Sequence, residues 1–255
     1  MQAEQEPKQQ ELGRISAIYR YPVKSMAGES VEIAQLGWHG IEGDRRFAFR
    51  RRADGGGFPW LSAGKLPELI LYQPFGRDTN SEEPAPTHVR TPEGTDLELR
   101  SEALREDVSR RYGGAEIELM RLKHGIFDEA CVSVITLATI RNLERETGRP
   151  LEIKRFRPNI VVDTDHDEAF GEDGWVGGVL EFGTDGSGAA VAVTMRDLRC
   201  VMINLDPATA KQDPRVMKTV VRTNQNNAGV YGSIVRAGEL RIGQSVRITQ
   251  RLKPV

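Results

Sequence analysis

Four apolar segments follow one another closely near the C-terminus: VLEFG (179–183), AAVAVTMRDLRCVMINL (189–205), GVYGSIVRAG (229–238) and ELRIGQSVRI (239–248). Each is rich in β-branched residues or alternates apolar with polar side chains, and glycine-bearing breaks separate them. They read as strands. A single helical pattern, RVMKTVVRTNQ (215–225), interrupts them. Upstream, ACVSVIT (130–136) is a continuous apolar strand. TLATIRNLERETG (136–148) is a helix with Ile140 and Leu143 facing inward and Gly148 and Pro150 at its stop. RFRPNIVVDT (155–164) reads as another strand, followed by an acidic, glycine-containing loop over 165–178.

The N-terminal half has the same character. RISAIYRYPV (14–23), SVEIAQLGW (30–38) and DRRFAFRRR (44–52) are short strands, and LPELILYQP (66–74) is an extended run. HVRTPEGTDLELR (88–100) forms a hairpin around Pro-Glu-Gly, and SEALREDVSRRYG (101–113) a helix capped by Ser101. Residues 1–12 form a polar, disordered leader, and 77–87 an exposed loop. About a dozen strands outnumber three helices and do not alternate with them. The expected fold is therefore a strand-rich, barrel-containing α+β protein rather than a doubly wound parallel sheet. The break near 120–127 divides it into two domains, 13–122 and 123–250.

The chain has 255 residues, 35 Lys and Arg against 37 Asp and Glu, and a net charge of −2. No apolar run approaches the ~18 residues of a membrane span, and the N-terminus lacks a signal-peptide core, which points to a cytoplasmic protein with no membrane partner. Two cysteines 69 positions apart exclude a disulfide scaffold and a CxxC pair. The four histidines lie far apart without HExxH spacing, and neither a GxSxG elbow nor a phosphate-binding glycine loop occurs. Basic residues cluster modestly at 14–52, with eight against four acidic, and at 196–222, with six against three. With 6% aromatic residues this is a poor nucleic-acid surface, and converging clusters suit a compact anionic small molecule better.

Three segments carry candidate chemistry. Cys200 ends a hydrophobic strand directly after Arg199, and a neighbouring guanidinium favours the thiolate that attacks electrophiles and binds soft metals. The alternative is a small buried hydrophobe, which Cys131 fits better. RFRPN places Arg155, Arg157 and Asn159 at alternate positions, hence on one face of the expected strand. That face is either a site for phosphate and a heterocycle edge or an exposed barrel exterior. YPVKS (21–25) and GDRR (43–46) set Lys24, Ser25 and Arg45 beside strand ends, where functional groups and plain turn charges both occur.

Taken together, YPVKS, GDRRF, RFRPNIVV, LRC with NLDP, KTVVR, GVYG and LRIGQSV occur in the order and approximate spacing of the MOSC family, which this chain resembles over roughly 13–250. The resemblance implies a β-rich N-terminal domain followed by a MOSC β-barrel similar to the pyruvate-kinase barrel. Within the family it is most similar to the amidoxime-reducing branch. That implies a molybdenum cofactor with Cys200 as metal ligand and catalytic centre. It places Lys24, Ser25, Arg45, Arg157, Asn159, Arg199 and Arg222 on the pterin and its phosphate, and Gly229 and Tyr231 at the pocket mouth. The implied activity is reduction of N-hydroxylated small molecules, with electrons from a separate flavin or iron–sulfur protein. The alternative is a non-catalytic cofactor carrier or sulfur-transfer domain using Cys200. Ser62-Ala63-Gly64 stands where relatives carry an arginine, and Glu129-Ala130 where a hydroxyl residue is common.

Overall fold

The computed structural model describes residues 9–184 and 186–250. Its first half runs through β1 (Gln9–Arg20), β2 (Glu29–Val31), β3 (Ile33–Gly37), β4 (Gly40–Ile41), β5 (Phe47–Arg51), β6 (Gln73–Phe75), β7 (His88–Arg90), β8 (Asp96–Glu98), α1 (Glu102–Arg111) and β9 (Ile117–Arg121). The second half holds β10 (Val132–Thr136), α2 (Leu137–Thr147), β11 (Ile160–Thr164), β12 (Gly178–Phe182), β13 (Ala190–Leu198), α3 (Pro214–Asn224), β14 (Asn227–Arg236), β15 (Gly238–Arg241) and β16 (Ser245–Gln250).

Seven strands close into a barrel in the order β1-β11-β10-β14-β13-β12-β16, with β16 returning to β1 and β2 appended to β1. Closure depends on Gly13. It pairs with Val246 on one side and Thr164 on the other, at φ +145°, and a Cβ there would stand 2.0 Å from the Asp163 carbonyl oxygen. No other residue type fits that approach.

Ile15, Ile18, Val134, Val162, Val191, Val230 and Ile248 fill the barrel interior. The opposite faces of β10 and β11 are also covered, because Ile135 and Val161 pack with Ile140 and Leu143 of α2 and Val216 and Val220 of α3. Burial on both faces explains why 130–136 reads as an unbroken apolar run rather than an alternating one. A separate core, including Val23, Phe47, Leu69, Tyr72, Val89, Leu104 and Val108, stabilises the small sheets β5-β9 and β6-β7-β8 around α1.

The strand-rich α+β architecture agrees with the sequence. The seam near 120–127 falls between β9 and β10, but chain from upstream of it enters the barrel: β1 is a barrel strand, and β3 pairs with β15. Two local expectations change. Residues Pro67–Leu71 form a 3-10 turn that buries Leu69 and Ile70, with Pro67 in its first turn where a missing N–H costs nothing. The polar leader is shorter than expected, since Gln9 already pairs with Thr249, while residues 1–8 lie outside the described part.

Candidate functional site: a cationic pocket at the seam

Segments 21–26 and 43–47 are zipped together by backbone hydrogen bonds: Arg45 N donates to Tyr21 O at 2.7 Å, and Lys24 N to Phe47 O at 2.7 Å. The fully buried Asp44 carboxylate locks the junction by accepting from Tyr21 N at 2.7 Å and from Arg45 at 2.5 Å. From the other half, the chain before β11 brings in Arg157, whose carbonyl accepts from Arg45 Nη2 at 3.0 Å and whose Nη1 donates to Met26 O at 2.8 Å. The two guanidiniums lie against the ring of buried Tyr21, at 4.8 Å for Arg45 and 4.2 Å for Arg157. Lys24, Ser25, Arg45, Arg157, Arg199 and Tyr231 thereby line one small pocket of about 60 Å³. A larger cleft of about 600 Å³ shares Arg155, Arg157 and Met202 with it.

Backbone strain concentrates here. Ser25, Arg45 and Arg157 have φ of 66°, 50° and 49°, left-handed values that side chains other than glycine rarely adopt. Gln225 and Asn226, beside Arg199 in space, share that conformation. Such strain is retained where surrounding structure over-determines it, commonly at functional sites.

The expected RFRPN strand is absent. Ile153–Phe156 is a 3-10 turn and Arg157 its left-handed cap, so the alternation that was to put Arg155, Arg157 and Asn159 on one face does not exist. Arg155 turns to Asn204 O at 3.1 Å and Asp206 at 2.7 Å. Asn159, 1% exposed, is part of the frame: its Nδ2 donates to Tyr19 O, and its Oδ1 accepts from Ser133 N and, at 3.4 Å, from Arg45. Asn159 therefore steadies Arg45 from behind rather than lining the pocket.

Arg222 is a second correction. Its side chain is 63% exposed on α3 and pairs with Glu146 of α2 at 2.7 Å, away from the pocket. The helix buries Val216, Thr219 and Val220, which turns position 222 outward.

Cys200 follows the end of β13 and is exposed, while Cys131 is half-buried with burial pushing its thiol pKa up. The apolar run 189–205 is not one strand: β13 stops at Leu198, and Val201–Asn204 forms a 3-10 turn that holds Cys200 at its start. Arg199 does not turn toward the sulfur as sequence adjacency suggested. Its Nε donates to Ala228 O, its Nη1 to Phe156 O at 2.7 Å, and its Nη2 contacts Asp197 at 2.8 Å. Gly229 makes room for it, since a Cβ there would lie 3.1 Å from Arg199 Nη2 and 2.7 Å from Val134 O.

Sequence reading missed Asp197, Asp44 and Tyr21. Asp197 is 1% exposed, accepts from Ser133 Oγ at 2.9 Å and faces Arg199, Arg45 and Tyr231. Burial raises its pKa to about 6, although Arg199 opposes the shift. A carboxyl raised above its unfolded value of ~3.9 favours the fold fully below that value and loses this contribution as pH climbs through about 6. The gap corresponds to roughly 3 kcal/mol. Urea unfolding of wild type and Asp197→Asn between pH 4 and 7 should show the wild type losing stability relative to the variant by this order. A pH-independent difference would mean that Asp197 is ionised throughout.

Burial lowers the Lys24 pKa against the pull of Asp128, whose carboxylate lies 2.7 Å from Nζ. Arg157 is lowered to about 10 by burial first and by Arg45 second. Arg157 Nη2, Arg155 Nε and Tyr21 Oη are buried without a hydrogen-bond partner, and all three residues line the larger cleft. Native proteins rarely leave such groups unsatisfied, because each costs ~1–3 kcal/mol. The cleft wall is also kept thin: a Cβ on Gly28 would sit 2.3 Å from the Tyr21 ring.

The fold is a closed barrel with a cationic pocket at its seam; the exposed Cys200 directly follows the pocket-lining Arg199 in sequence but is not itself among the residues lining that pocket or the larger cleft. The particular family follows from comparison: the model of the MOSC domain matches residues 121–247, the model of the MOSC N-terminal beta barrel domain matches residues 12–121, and the chain belongs to this family. The search of curated proteins finds no match. Among solved structures, the YuaD protein from Bacillus subtilis aligns over 96% of this chain and 100% of its own, at 14% identity and TM-score 0.52. YiiM from Escherichia coli aligns over 92% and 72%, at 13% identity and TM-score 0.40.

Proposed function

We propose that this chain binds a molybdenum–pterin cofactor at the seam, with Cys200 as the metal ligand, and that the loaded protein reduces N-hydroxylated small molecules. The observation that carries the reading is the set of unsatisfied polar atoms, above all Arg157 Nη2, in a pocket where Lys24, Arg45 and Arg157 converge.

The residues fit such a group. A phosphate suits the small pocket, where guanidinium forks and the Lys24 ammonium offer charge-assisted donors. A flat heterocycle suits the adjoining cleft, whose lining includes Tyr21, Gly28, Met202 and Leu205. Among the described residues no three His, Cys, Asp or Glu side chains gather into a metal cage, so Cys200 offers the metal a single thiolate. That is the donor a soft, cofactor-borne metal requires.

When bound, the cofactor supplies two-electron oxygen-atom chemistry, converting an N–OH group and two protons to N–H and water. The chain's own residues perform the rest. Arg45 and Arg157 hold the anion, Asn159 and Asp44 fix Arg45, and Asp197 with Arg199 braces the barrel wall behind it. Cys200, exposed and next in sequence to the pocket-lining Arg199, would be open to a small substrate and to a separate flavin or iron–sulfur donor.

The test is expression in a host that makes molybdenum cofactor, then measurement of metal and pterin in the purified protein and turnover of benzamidoxime with reduced viologen. Metal, pterin and amidine formation support the reading. Pterin without turnover would leave a cofactor carrier or a sulfur-transfer domain acting through the exposed Cys200 thiol, and absence of both metal and pterin would overturn cofactor binding altogether.

A further inference from the structure

A second cationic hollow lies on the two-stranded sheet of the first half. β5 and β9 pair with Phe47 opposite Arg121 and Phe49 opposite Leu119. Directly opposed residues of an antiparallel ladder share a face, so these four side chains stand together. The chain entering α1 adds Leu99, Arg100 and Arg105 to the same hollow, which holds about 450 Å³. That volume is in the range of small-molecule sites. Phe47, Phe49 and Leu99 are 2%, 3% and 2% exposed and belong to the core around α1, so the floor is preformed. Leu119 is only partly buried against that core and leaves apolar surface facing the hollow.

The acids bordering the hollow are already matched. Glu102 accepts from Arg105 Nε at 2.9 Å, and Glu118, opposite Arg50 on the alternate face of the ladder, pairs with it at 3.1 Å. Two cations are left over. Arg100 has neither a hydrogen bond nor an ion pair for its side chain among the described residues, and its guanidinium lies 5.9 Å from the Phe47 ring centre. Arg121 lies 5.6 Å from the same ring centre and its side chain donates only to the Ser81 hydroxyl, at 3.1 Å. Glu83, the acid that Arg121 influences, is taken by Arg46 at 2.6 Å. The positive end of α1 adds little, because Ser101 caps it and Glu102 stands in its first turn.

We infer that this hollow binds a small aromatic carboxylate. The planar donor pairs of Arg100 and Arg121 match the two oxygens of a carboxylate. The arene packs on Leu119 and the arginine stems, within cation–π reach of the guanidiniums. Three basic and two acidic residues border the hollow, so a monoanion brings it to neutrality. A phosphate dianion overshoots and costs more to remove from water beside an apolar wall. The hollow shares no lining residue with the seam pocket or its cleft, and the inference does not depend on cofactor binding.

Calorimetric titration of 2-naphthoate into the full chain tests it. Binding should saturate with a Kd below ~1 mM and weaken as salt is raised to ~0.3 M. Arg100→Gln combined with Arg121→Gln should weaken binding about tenfold or more. Both side chains are exposed, so urea unfolding of this variant should match wild type. Should the pair prove unstable, Arg100→Gln alone carries the test, with weaker binding expected and unchanged binding overturning the inference. Glu102→Gln, which frees Arg105, should tighten binding. The uncharged isostere 2-naphthamide should bind about tenfold more weakly than 2-naphthoate. Equal binding by the double variant or of the amide overturns the inference. Tighter binding of 2-naphthyl phosphate overturns it as well, and would assign the hollow to a phosphate ester.

Discussion

Cys200→Ala is expected to strip molybdenum from the protein while leaving its fold intact. The sulfur is exposed, and the residue has an ordinary extended backbone, φ −99° and ψ 173°, which alanine adopts freely. Surface substitutions of this kind change stability by no more than ~0.5 kcal/mol, so urea unfolding of the variant should superimpose on wild type. On the proposed reading metal content, in contrast, should fall to background, because among the described residues no cluster of His, Cys, Asp or Glu could replace the Cys200 thiolate. Pterin should be lost less completely, since its phosphate would still meet Lys24, Arg45 and Arg157. This graded result separates metal ligation from cofactor anchoring in one preparation. Cys131→Ala is the control. That thiol is half-buried in the barrel, with its pKa raised by burial, and its removal should leave metal content unchanged. Retention of metal by Cys200→Ala together with loss in Cys131→Ala would reverse the assignment.

The barrel was legible because burial leaves a mark on composition. Runs such as ACVSVIT and GVYGSIVRAG are accommodated by sheet packing, and Ser101 caps α1 and Gly148 ends α2 where the sequence placed them. Closure through the start of β1 was not legible, because Gln9–Glu11 is polar and is held to β16 by the backbone ladder and by long-range bonds from Arg247 to Gln9 and from Ser245 to Glu11. In the pocket, Lys24, Ser25, Arg45, Arg157, Arg199 and Tyr231 all line the cavity, but the geometric reason first given for Arg157 was wrong. Alternation assumes extended backbone, and the left-handed turn at Arg157 is imposed by tertiary bonds to Arg45 and Met26 that no local pattern encodes. Arg222 failed for a related reason. A basic residue near a cysteine loop in sequence has no fixed direction until the helix chooses which face to bury. Tyr21 and Asp44 did carry a signal, an aromatic before proline and an acid before two arginines, but such pairs are equally common in turns.

The two guanidiniums stacked on Tyr21 provide the sharpest test of which groups hold ligand and which hold the fold. Arg45 is bonded to buried Asp44, to Asn159 and to the Arg157 carbonyl. Arg45→Met strands the Asp44 charge in a site with no exposure, a change that costs ~3–5 kcal/mol. Arg157 has one bond to the Met26 carbonyl, leaves Nη2 without a partner and is repelled by Arg45, which with burial holds its pKa near about 10. Arg157→Met loses one hydrogen bond to a carbonyl but relieves the unsatisfied nitrogen and the like-charge contact. Its stability should therefore stay within ~1 kcal/mol of wild type. Ligand affinity should move the other way. A charge-assisted hydrogen bond contributes ~1.5–3 kcal/mol, so titration of inorganic pyrophosphate into the cofactor-free protein should show Arg157→Met binding ~10- to 150-fold more weakly. A group that hardly matters to the empty fold yet dominates anion affinity is one whose partner comes from outside the chain. If Arg157→Met unfolds as readily as Arg45→Met and binds pyrophosphate like wild type, Arg157 belongs to the frame and the pocket has lost its principal ligand.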